Sequence, residues 1–338
     1  MKNANRFKIV HTAAMPGAEL PMEREGLAEF AAGLVSYGTL DTPEKVIEAC
    51  HDADACLIPG QAFPAAVIDK LERCRVLVRY GIGYDVIDVD AASRKGILVV
   101  NFPDFCQPEV ANHALALLLD CAKKISRQDR WIRSGAWRGG RAPFLQPMGA
   151  IHGETVGLIG FGAIAREFQR RLAVLDMRVL AYDPYVQPQV AAALNVELVS
   201  LDELLQRSDY VSIHVPLLPA THRMITAEKL ALMKPTAYLI NTGRGPVVDM
   251  EALVAALKSG VIAGAGLDTF AVEPLPADSP LLRLDSVVMT PHCASYADAT
   301  ARNLWRRVGE EAALALRGRM PNTPVNGKIK PTLTWLEA

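Results

Sequence analysis

The sequence predicts an α/β protein that contains two doubly wound parallel sheets, and three observations favour this fold class. Short apolar runs alternate with amphipathic helical stretches along almost the whole chain, which is typical of parallel strands connected by helices. The chain of 338 residues is long enough for roughly two domains. Half of the residues are hydrophobic, so two cores can be filled and general disorder is excluded.

The first series of strands and helices lies in the N-terminal third of the chain. One helix has a clear start signal, because Thr42 offers a capping hydroxyl, Pro43 suits the first helical position and Glu44 adds a negative charge. The predicted strands cover 7–10, 34–37, 55–58, 76–80 and 97–100. The predicted helices cover 23–32, 43–51, 64–72 and 89–95. This alternation predicts a parallel sheet with helices on both faces.

A single long helix is predicted over 108–133. Val110, Ala114, Leu117 and Cys121 recur at helical spacing, so they form one apolar face. The next segment, 134–148, is rich in glycine, proline and arginine. This composition favours an irregular surface arm over a further helix or strand.

A second alternating series begins at Thr155. Its predicted strands cover 156–160, 179–183, 210–214, 237–241, 265–268 and 286–290. Six strands with intervening helices are what a complete doubly wound dinucleotide-binding fold requires. A last helix is predicted over 297–317, and the proline-rich tail after it is expected to be irregular.

Charge and composition exclude several classes of protein. The 36 basic and 37 acidic residues nearly cancel, which argues against a nucleic-acid-binding protein. No apolar run is long enough for a membrane span or a signal peptide, so we expect no membrane association. The six cysteines form no CxxC pair and no metal-ligand cluster. We therefore predict reduced thiols in a cytoplasmic protein that holds no metal.

A glycine-rich turn is the strongest local signal. Gly160 and Gly162 follow a predicted strand and open a predicted helix, and the small Ala165 takes the place of a third glycine. Such a turn lets a pyrophosphate approach the helix N-terminus. Asp183 ends the next predicted strand, where a carboxylate can bind a ribose diol and repel a 2′-phosphate. The pattern predicts NAD binding, although Asp183 could instead cap the turn before Pro184.

Three further side chains follow later strands of the same series. Arg244, Glu273 and His292 lie beyond the predicted strands at 237–241, 265–268 and 286–290. In open α/β sheets, ligands bind beyond the carboxyl ends of the strands, so these residues are expected to converge. A cation, a carboxylate and an imidazole suit hydride transfer to or from a 2-oxo or 2-hydroxy acid. Each residue alone has an ordinary structural explanation, whereas the set of three favours catalysis.

The sequence resembles the D-isomer-specific 2-hydroxyacid dehydrogenase family. The matching segments run in the family's order from about residue 55 to residue 320, and some of them lean toward the C-terminal-binding-protein branch. These segments are 79–88, 156–162, 181–185, 214–217, 239–245, 264–268 and 290–292.

This resemblance implies an architecture and roles for individual residues. A Rossmann nucleotide domain, 102–296, would be inserted into a flavodoxin-like substrate domain formed by 1–101 and 297–338. His292 would be the acid/base, Glu273 its partner and Arg244 the residue that binds the substrate. The backbone of Ile82 and Gly83 would bind the substrate carboxylate. Asn112 departs from the family pattern, because many members carry an acid there before His113.

The resemblance also implies a cofactor site and an assembly. A homodimer is expected through the long helix and the arm that contains Trp137. The expected NAD contacts are Gly160, Gly162, Ala163, Ile164, Asp183, His214, Val215, Pro216, Thr221, Thr242, Gly243, Asp268 and Ala294.

The predicted function is therefore NAD-dependent hydride transfer at C2 of a D-2-hydroxy acid or a 2-oxo acid. Arg244 and His292 would bind this small acid together with Ile82 and Gly83. An alternative from another class stays open: the chain could be an NAD(H)-sensing scaffold or corepressor-like protein with little turnover. Assays of NADH oxidation with several 2-oxo acids distinguish the two. The identity of the substrate is not predicted from the sequence.

Overall fold

The computed structural model describes residues 7–332, and these residues divide into two compact units. The first unit contains the chain up to Phe105 together with the segment from Ala297 onward. The second unit is Cys106–Tyr296. The first domain boundary was predicted after residue 101, whereas the first compact unit extends to Phe105.

The first unit is built on a five-stranded parallel sheet of order β2-β1-β3-β4-β5. This is the flavodoxin-like order, as the resemblance implied. All four residues of β3 are buried, as expected for a central strand that is covered on both faces. The strands are β1 (Ile9–His11), β2 (Leu34–Ser36), β3 (Ala55–Ile58), β4 (Val76–Arg79) and β5 (Leu98–Val100).

Two of the predicted helices in this unit are shorter than expected. The helix that begins at Pro21 ends at Leu27, because Ala28 has a φ of 50° and the chain continues as a 3-10 helix, Ala28–Gly33. The helix predicted over 64–72 ends at Ile68, and the next residues form turns. The Thr42 hydroxyl caps the helix that begins at Pro43, as predicted. The helices are α1 (Pro21–Leu27), α2 (Pro43–Cys50), α3 (Ala65–Ile68) and α4 (Val89–Arg94).

The second unit is built on a seven-stranded parallel sheet of order β12-β11-β10-β9-β6-β7-β8. One strand, β8, was not predicted from the sequence, because its two residues are too few for a recognisable pattern. The strand order reverses between β6 and β9, which is where doubly wound folds bind ligands. The strands are β6 (Thr155–Ile159), β7 (Arg178–Tyr182), β8 (Glu197–Leu198), β9 (Tyr210–Ile213), β10 (Tyr238–Asn241), β11 (Gly264–Leu267) and β12 (Val287–Met289).

The single long helix predicted over 108–133 is wrong, because the chain breaks at Lys124. Lys124 has a φ of 54°, and its amine donates hydrogen bonds to the carbonyls of Phe144 and Pro147. The Asp120 carboxylate then accepts from the Ser126 backbone N–H, so a new helix starts. The helices of this unit are α5 (Gln107–Lys123), α6 (Ile125–Arg133), α7 (Ala163–Ala173), α8 (Pro188–Ala192), α9 (Leu201–Arg207), α10 (Ala227–Ala231) and α11 (Met250–Ser259).

The arm over 134–148 contains no helix or strand, in agreement with its composition. The Arg127 guanidinium lies 4.3 Å from the centre of the Phe144 ring and ties one end of the arm to α6. Trp137 is 61% exposed, and α6 has no buried residue. This part of the second unit therefore presents apolar side chains to solvent.

The last helix, α12 (Asp298–Leu316), returns to the first unit and packs closely against α1. A Cβ atom at Gly26 would lie 2.0 Å from the Arg306 carbonyl oxygen, and one at Gly309 would lie 2.3 Å from that of Glu23. Only glycine allows the two helices to approach so closely. Within residues 7–332, no helix has the length and apolarity needed to cross a membrane.

Candidate active site

The glycine-rich turn lies between β6 and α7. Gly160 has a φ of +88°, and a Cβ atom there would lie 2.9 Å from a methyl carbon of Val215. Gly162 precedes the first residue of α7, and a Cβ atom there would meet nothing within 4 Å. Ala165, which takes the place of the fingerprint's third glycine, is fully buried. The backbone N–H groups at the start of α7 are thus open to an anionic group.

Asp183 lies immediately after β7 and holds this turn in place. One carboxylate oxygen accepts a hydrogen bond of 2.9 Å from the Phe161 N–H. The other accepts one of 2.9 Å from the Tyr185 N–H. Asp183 therefore caps the turn and also lies beside the glycine-rich loop, so both interpretations of the sequence are compatible.

His214 follows β9 and is held in a largely apolar environment. Its Nε2 lies 2.9 Å from the Ser212 hydroxyl, and its ring is 5.6 Å from that of Phe168. Burial lowers the pKa of His214 to about 4. The imidazole is consequently neutral at physiological pH. In the loop that follows, the Thr221 hydroxyl donates to the Pro216 carbonyl and fixes the turn.

The loop after β10 carries a polar atom that is still without a partner. Among residues 7–332, the buried hydroxyl oxygen of Thr242 has no hydrogen-bond partner. The Asn241 side chain accepts from the Gly243 N–H and donates to the Arg244 carbonyl, which fixes the loop. An open helix N-terminus, the Asp183 carboxylate and this hydroxyl fit the pyrophosphate, ribose and polar groups of NAD.

Gly245 brings the Arg244 loop against the loop that carries Glu273. A Cβ atom at Gly245 would lie 2.0 Å from the backbone carbonyl carbon of Phe270, so only glycine fits. The Phe270 N–H donates a hydrogen bond of 2.8 Å to the Glu273 carboxylate. Gly245 stands next to Arg244 in the same motif and was not among the predicted site residues.

His292 and Glu273 form a hydrogen-bonded pair. Nδ1 of His292 lies 2.6 Å from an Oε of Glu273, and the two side chains are 43% and 34% exposed. Burial acts to raise the pKa of Glu273, but hydrogen bonds from His292 and Phe270 and the nearby Arg244 charge hold it below its usual range. The carboxylate is therefore ionised at neutral pH, and Nε2 of His292 is left for a reacting group.

The turn that presents His292 is held by Asp268, which is fully buried. His292 has a φ of 51°, which few non-glycine residues adopt. The His292 N–H donates 2.8 Å to the Asp268 carbonyl. The Asp268 carboxylate accepts from the N–H groups of Cys293 and Ala294, at 2.9 and 3.0 Å. Asp268 and Ala294, both predicted to bind NAD, are thus hydrogen-bonded to each other in the turn.

A pocket of about 580 Å³ opens beside the His292–Glu273 pair within the second unit. It is mainly apolar, and none of the described residues that line it is a lysine or arginine. Besides the pair, its lining residues are Phe270, Pro274, Leu275, Leu282, Met289, Thr290 and Pro291.

Ile82 and Gly83 belong to the first unit, in the loop after β4. The carbonyl of Gly81 accepts from the Phe102 N–H, and the carbonyl of Ile82 accepts from the Asn101 side chain at 2.7 Å. These bonds fix the carbonyls of the loop. Backbone N–H groups of a loop fixed in this way suit an anion such as a carboxylate.

Comparisons with known proteins show which family the chain is similar to. The family model described as "D-isomer specific 2-hydroxyacid dehydrogenase, NAD binding domain" matches residues 115–294. A glyoxylate reductase of Korarchaeum cryptofilum is 40% identical over 84% of this chain and 86% of its own length. A D-3-phosphoglycerate dehydrogenase of Methanocaldococcus jannaschii is 37% identical over 94% of this chain, which spans 60% of that longer protein.

A solved structure extends the likeness to residues of both units. The D-lactate dehydrogenase of Aquifex aeolicus, crystallised with NAD and lactic acid, is 28% identical and has a TM-score of 0.81. The match covers 92% of this chain and 96% of that one. These relatives are enzymes by name, so they do not favour the alternative of a non-catalytic scaffold.

Proposed function

Because the chain belongs to the D-isomer-specific 2-hydroxyacid dehydrogenase family and is an NAD-dependent oxidoreductase, we propose that Arg244, Glu273 and His292 carry its chemistry. The observation that supports this proposal is the 2.6 Å hydrogen bond between Nδ1 of His292 and Glu273. A carboxylate at Nδ1 orients an imidazole so that Nε2 exchanges the proton, as in other acid–base pairs.

In the direction of reduction, protonated His292 donates its Nε2 proton to the carbonyl oxygen of a 2-oxo acid. Bound NADH supplies the hydride that C2 accepts. Glu273 stabilises the imidazolium and keeps the ring oriented. Arg244 polarises the carbonyl and binds the carboxylate through its planar guanidinium. In oxidation, neutral His292 takes the proton from the hydroxyl instead.

We propose that the backbone N–H groups of Ile82 and Gly83 bind the substrate carboxylate. The cofactor would lie on the glycine-rich turn, with its adenosine ribose on Asp183. The other contacts we propose are Ala163, Ile164, His214, Val215, Pro216, Thr221, Thr242, Gly243, Asp268 and Ala294. Asp268 would act on this site through the turn, since its carboxylate accepts hydrogen bonds from Cys293 and Ala294.

The Asp183 contact is tested with the two nicotinamide cofactors. The wild type should prefer NADH to NADPH, because Asp183 repels a 2′-phosphate. Asp183→Ala should weaken NADH binding and reduce the preference, with kcat nearly unchanged. Asp176→Ala, at an exposed position before β7, is the control. Equal kcat/KM values for both cofactors in the wild type would contradict the assignment.

For the substrate, we propose a small 2-oxo acid without a phosphate group. The chain aligns with most of a glyoxylate reductase but with only 60% of a phosphoglycerate dehydrogenase. NADH oxidation is measured with glyoxylate, hydroxypyruvate, pyruvate and 3-phosphohydroxypyruvate. A higher kcat/KM for the phosphorylated acid than for the other three would overturn this choice.

We propose a homodimer formed through α6 and the arm of the second unit. Ile125, Ile132 and Trp137 are each more than half exposed there. Light scattering should give the mass of a dimer, and Ile132→Asp should shift it toward a monomer. Val174→Asp, at an exposed apolar site at the end of α7, should not. A monomeric wild type would contradict the proposal.

A cytoplasmic location is part of the same proposal. All six cysteines are free thiols, and five of them are buried, as expected in a reducing compartment. Fractionation of cells that express the full chain should place it with cytoplasmic proteins. Its recovery from an extracellular or periplasmic fraction would contradict this location.

A further inference from the structure

A chain of hydrogen bonds connects helix α5 to the turn that presents His292. Nε2 of His113, on α5, lies 2.8 Å from the Thr290 hydroxyl oxygen. The Thr290 hydroxyl in turn lies 2.6 Å from an Oδ of Asp268. All three residues belong to the second unit. Neither His113 nor Thr290 takes part in the proposed reaction.

The chemistry of these groups sets the direction of each hydrogen bond. The Thr290 hydroxyl donates to the Asp268 carboxylate, whose oxygen accepts. The oxygen of that hydroxyl then accepts from His113, which therefore carries its proton on Nε2. Asp268 receives the Thr290 hydroxyl and the Cys293 N–H on the same oxygen.

This arrangement acts on the backbone around the proton-transferring imidazole. Thr290 lies two residues before His292, and Asp268 binds the two residues after it. His292 itself has a φ of 51°, so its conformation depends on bonds from both sides. If His113 did not orient the Thr290 hydroxyl, the hydrogen bond from Thr290 to Asp268 would be weaker.

The chemistry of His113, Asp268 and Cys293 does not suit a metal ion. Ligand atoms of His113, Asp268 and Cys293 lie within 4.8 Å of one another. The Asp268 carboxylate, however, is buried and already accepts three hydrogen bonds. Burial and the Asp268 charge raise the pKa of the Cys293 thiol, which disfavours the thiolate that binds metals. A hydrogen-bonded chain explains the cluster better.

We propose that His113 is a positioning residue, which orients Thr290 and Asp268 so that their turn holds His292 in its reactive position. This inference rests on the role proposed for His292. His113 lies on a helix far from the other site residues in sequence, so no strand-end pattern points to it.

The test compares His113→Ala with His113→Gln, whose amide N–H can replace the Nε2–H donor. We expect His113→Ala to lower kcat for glyoxylate reduction about tenfold, the effect of one lost hydrogen bond in a polar network. The KM for NADH should change less than kcat, and His113→Gln should restore most of the rate. Asn112→Ala, on the neighbouring position of α5, should retain the wild-type kcat.

A double-mutant cycle with Thr290→Val tests whether His113 acts through Thr290. The double variant should be slower than Thr290→Val by much less than tenfold, because only the 3.5 Å approach of His113 Nε2 to Asp268 is then left to lose. Independent, multiplied effects would overturn the proposal, as would a His113→Ala rate equal to that of the wild type. If His113→Ala does not fold, the kcat of His113→Gln is compared with that of Thr290→Val. A His113→Gln variant that is as slow as Thr290→Val would contradict the role of His113 as a hydrogen-bond donor.

Hydrogen exchange of the Cys293 and Ala294 amides gives a readout without turnover. We expect faster exchange in His113→Ala and wild-type exchange in His113→Gln. Unchanged exchange in His113→Ala would contradict the proposal. If the wild type reduces none of the 2-oxo acids, the proposed substrate fails, while the exchange measurement still tests the role of His113.

Discussion

Two histidines follow strands of the same sheet, yet their surroundings give them opposite chemical character. His214 follows β9, contacts the Phe168 ring and the Ser212 hydroxyl, and has a pKa lowered to about 4 by burial. His292 follows β12, has a half-exposed side chain and binds the Glu273 carboxylate. Residue type and strand-end position are therefore not enough to identify a proton carrier.

The difference lies in what replaces the water around each ring. Burial without a charged partner favours the neutral imidazole, since the charged form loses its hydration. A carboxylate at hydrogen-bond distance favours the imidazolium and supplies a fixed orientation. Only the second arrangement suits a group that must gain and lose a proton in each catalytic cycle.

The largest effect is expected when the half-exposed His292 is removed. His292→Ala should reduce kcat by roughly 10²–10⁴-fold, the usual contribution of general acid–base catalysis. NADH binding should stay within a few-fold of the wild type, because the glycine-rich turn is untouched. Steady-state kinetics and fluorescence titration measure the two quantities. A kcat within threefold of the wild type would mean that His292 is not the proton donor.

Removal of the carboxylate should have the next largest effect. The pKa of Glu273 lies below its usual range, so its charge is present throughout the neutral range. Glu273→Gln keeps the shape but removes this charge, and kcat/KM for reduction at pH 7 should fall roughly 10–100-fold. Because the imidazolium is then less favoured, reduction should decline with rising pH at a lower pH than in the wild type.

The pH profile of Glu273→Gln is measured in both directions of the reaction. Oxidation requires neutral His292, so its rise with pH should shift to lower pH as well. Asp278→Asn, which removes a carboxylate from an exposed position beyond the same strand, is the control. If the profile of Glu273→Gln stays in place or moves to higher pH, Glu273 is not the electrostatic partner of His292.

The smallest effect concerns His214 and appears in stability. Its pKa is about 4 in the folded chain and about 6.5 when unfolded, so the unfolded state binds one more proton between these values. The free energy of unfolding should therefore decrease as pH falls from about 6.5 to about 4. His214→Gln should remove about one proton from this slope.

Urea denaturation at several pH values measures the slope. His11, whose pKa is also lowered to about 4 by burial, contributes in the same sense and remains in both proteins. A slope in His214→Gln equal to that of the wild type would show that folding does not lower the pKa of His214.

Some features followed directly from the order of residues. The glycine-rich turn, Asp183 and the three side chains at the strand ends were predicted because each sits beside a run of apolar residues that forms a strand. The flavodoxin-like and Rossmann strand orders came from the resemblance and are confirmed by the two sheets. The break at Lys124 was missed, because it depends on carbonyls of Phe144 and Pro147 that lie later in the chain.

The sequence by itself determined the two parallel sheets and the candidates Arg244, Glu273 and His292, because strand periodicity and short motifs are local properties. Only the tertiary structure decided which histidine has a carboxylate partner, that Gly245 must admit the Phe270 backbone, and that His113 reaches Thr290. These contacts join residues from different strands and helices. Hydrogen bonds between such distant residues depend on packing distances, which no local pattern in the sequence encodes.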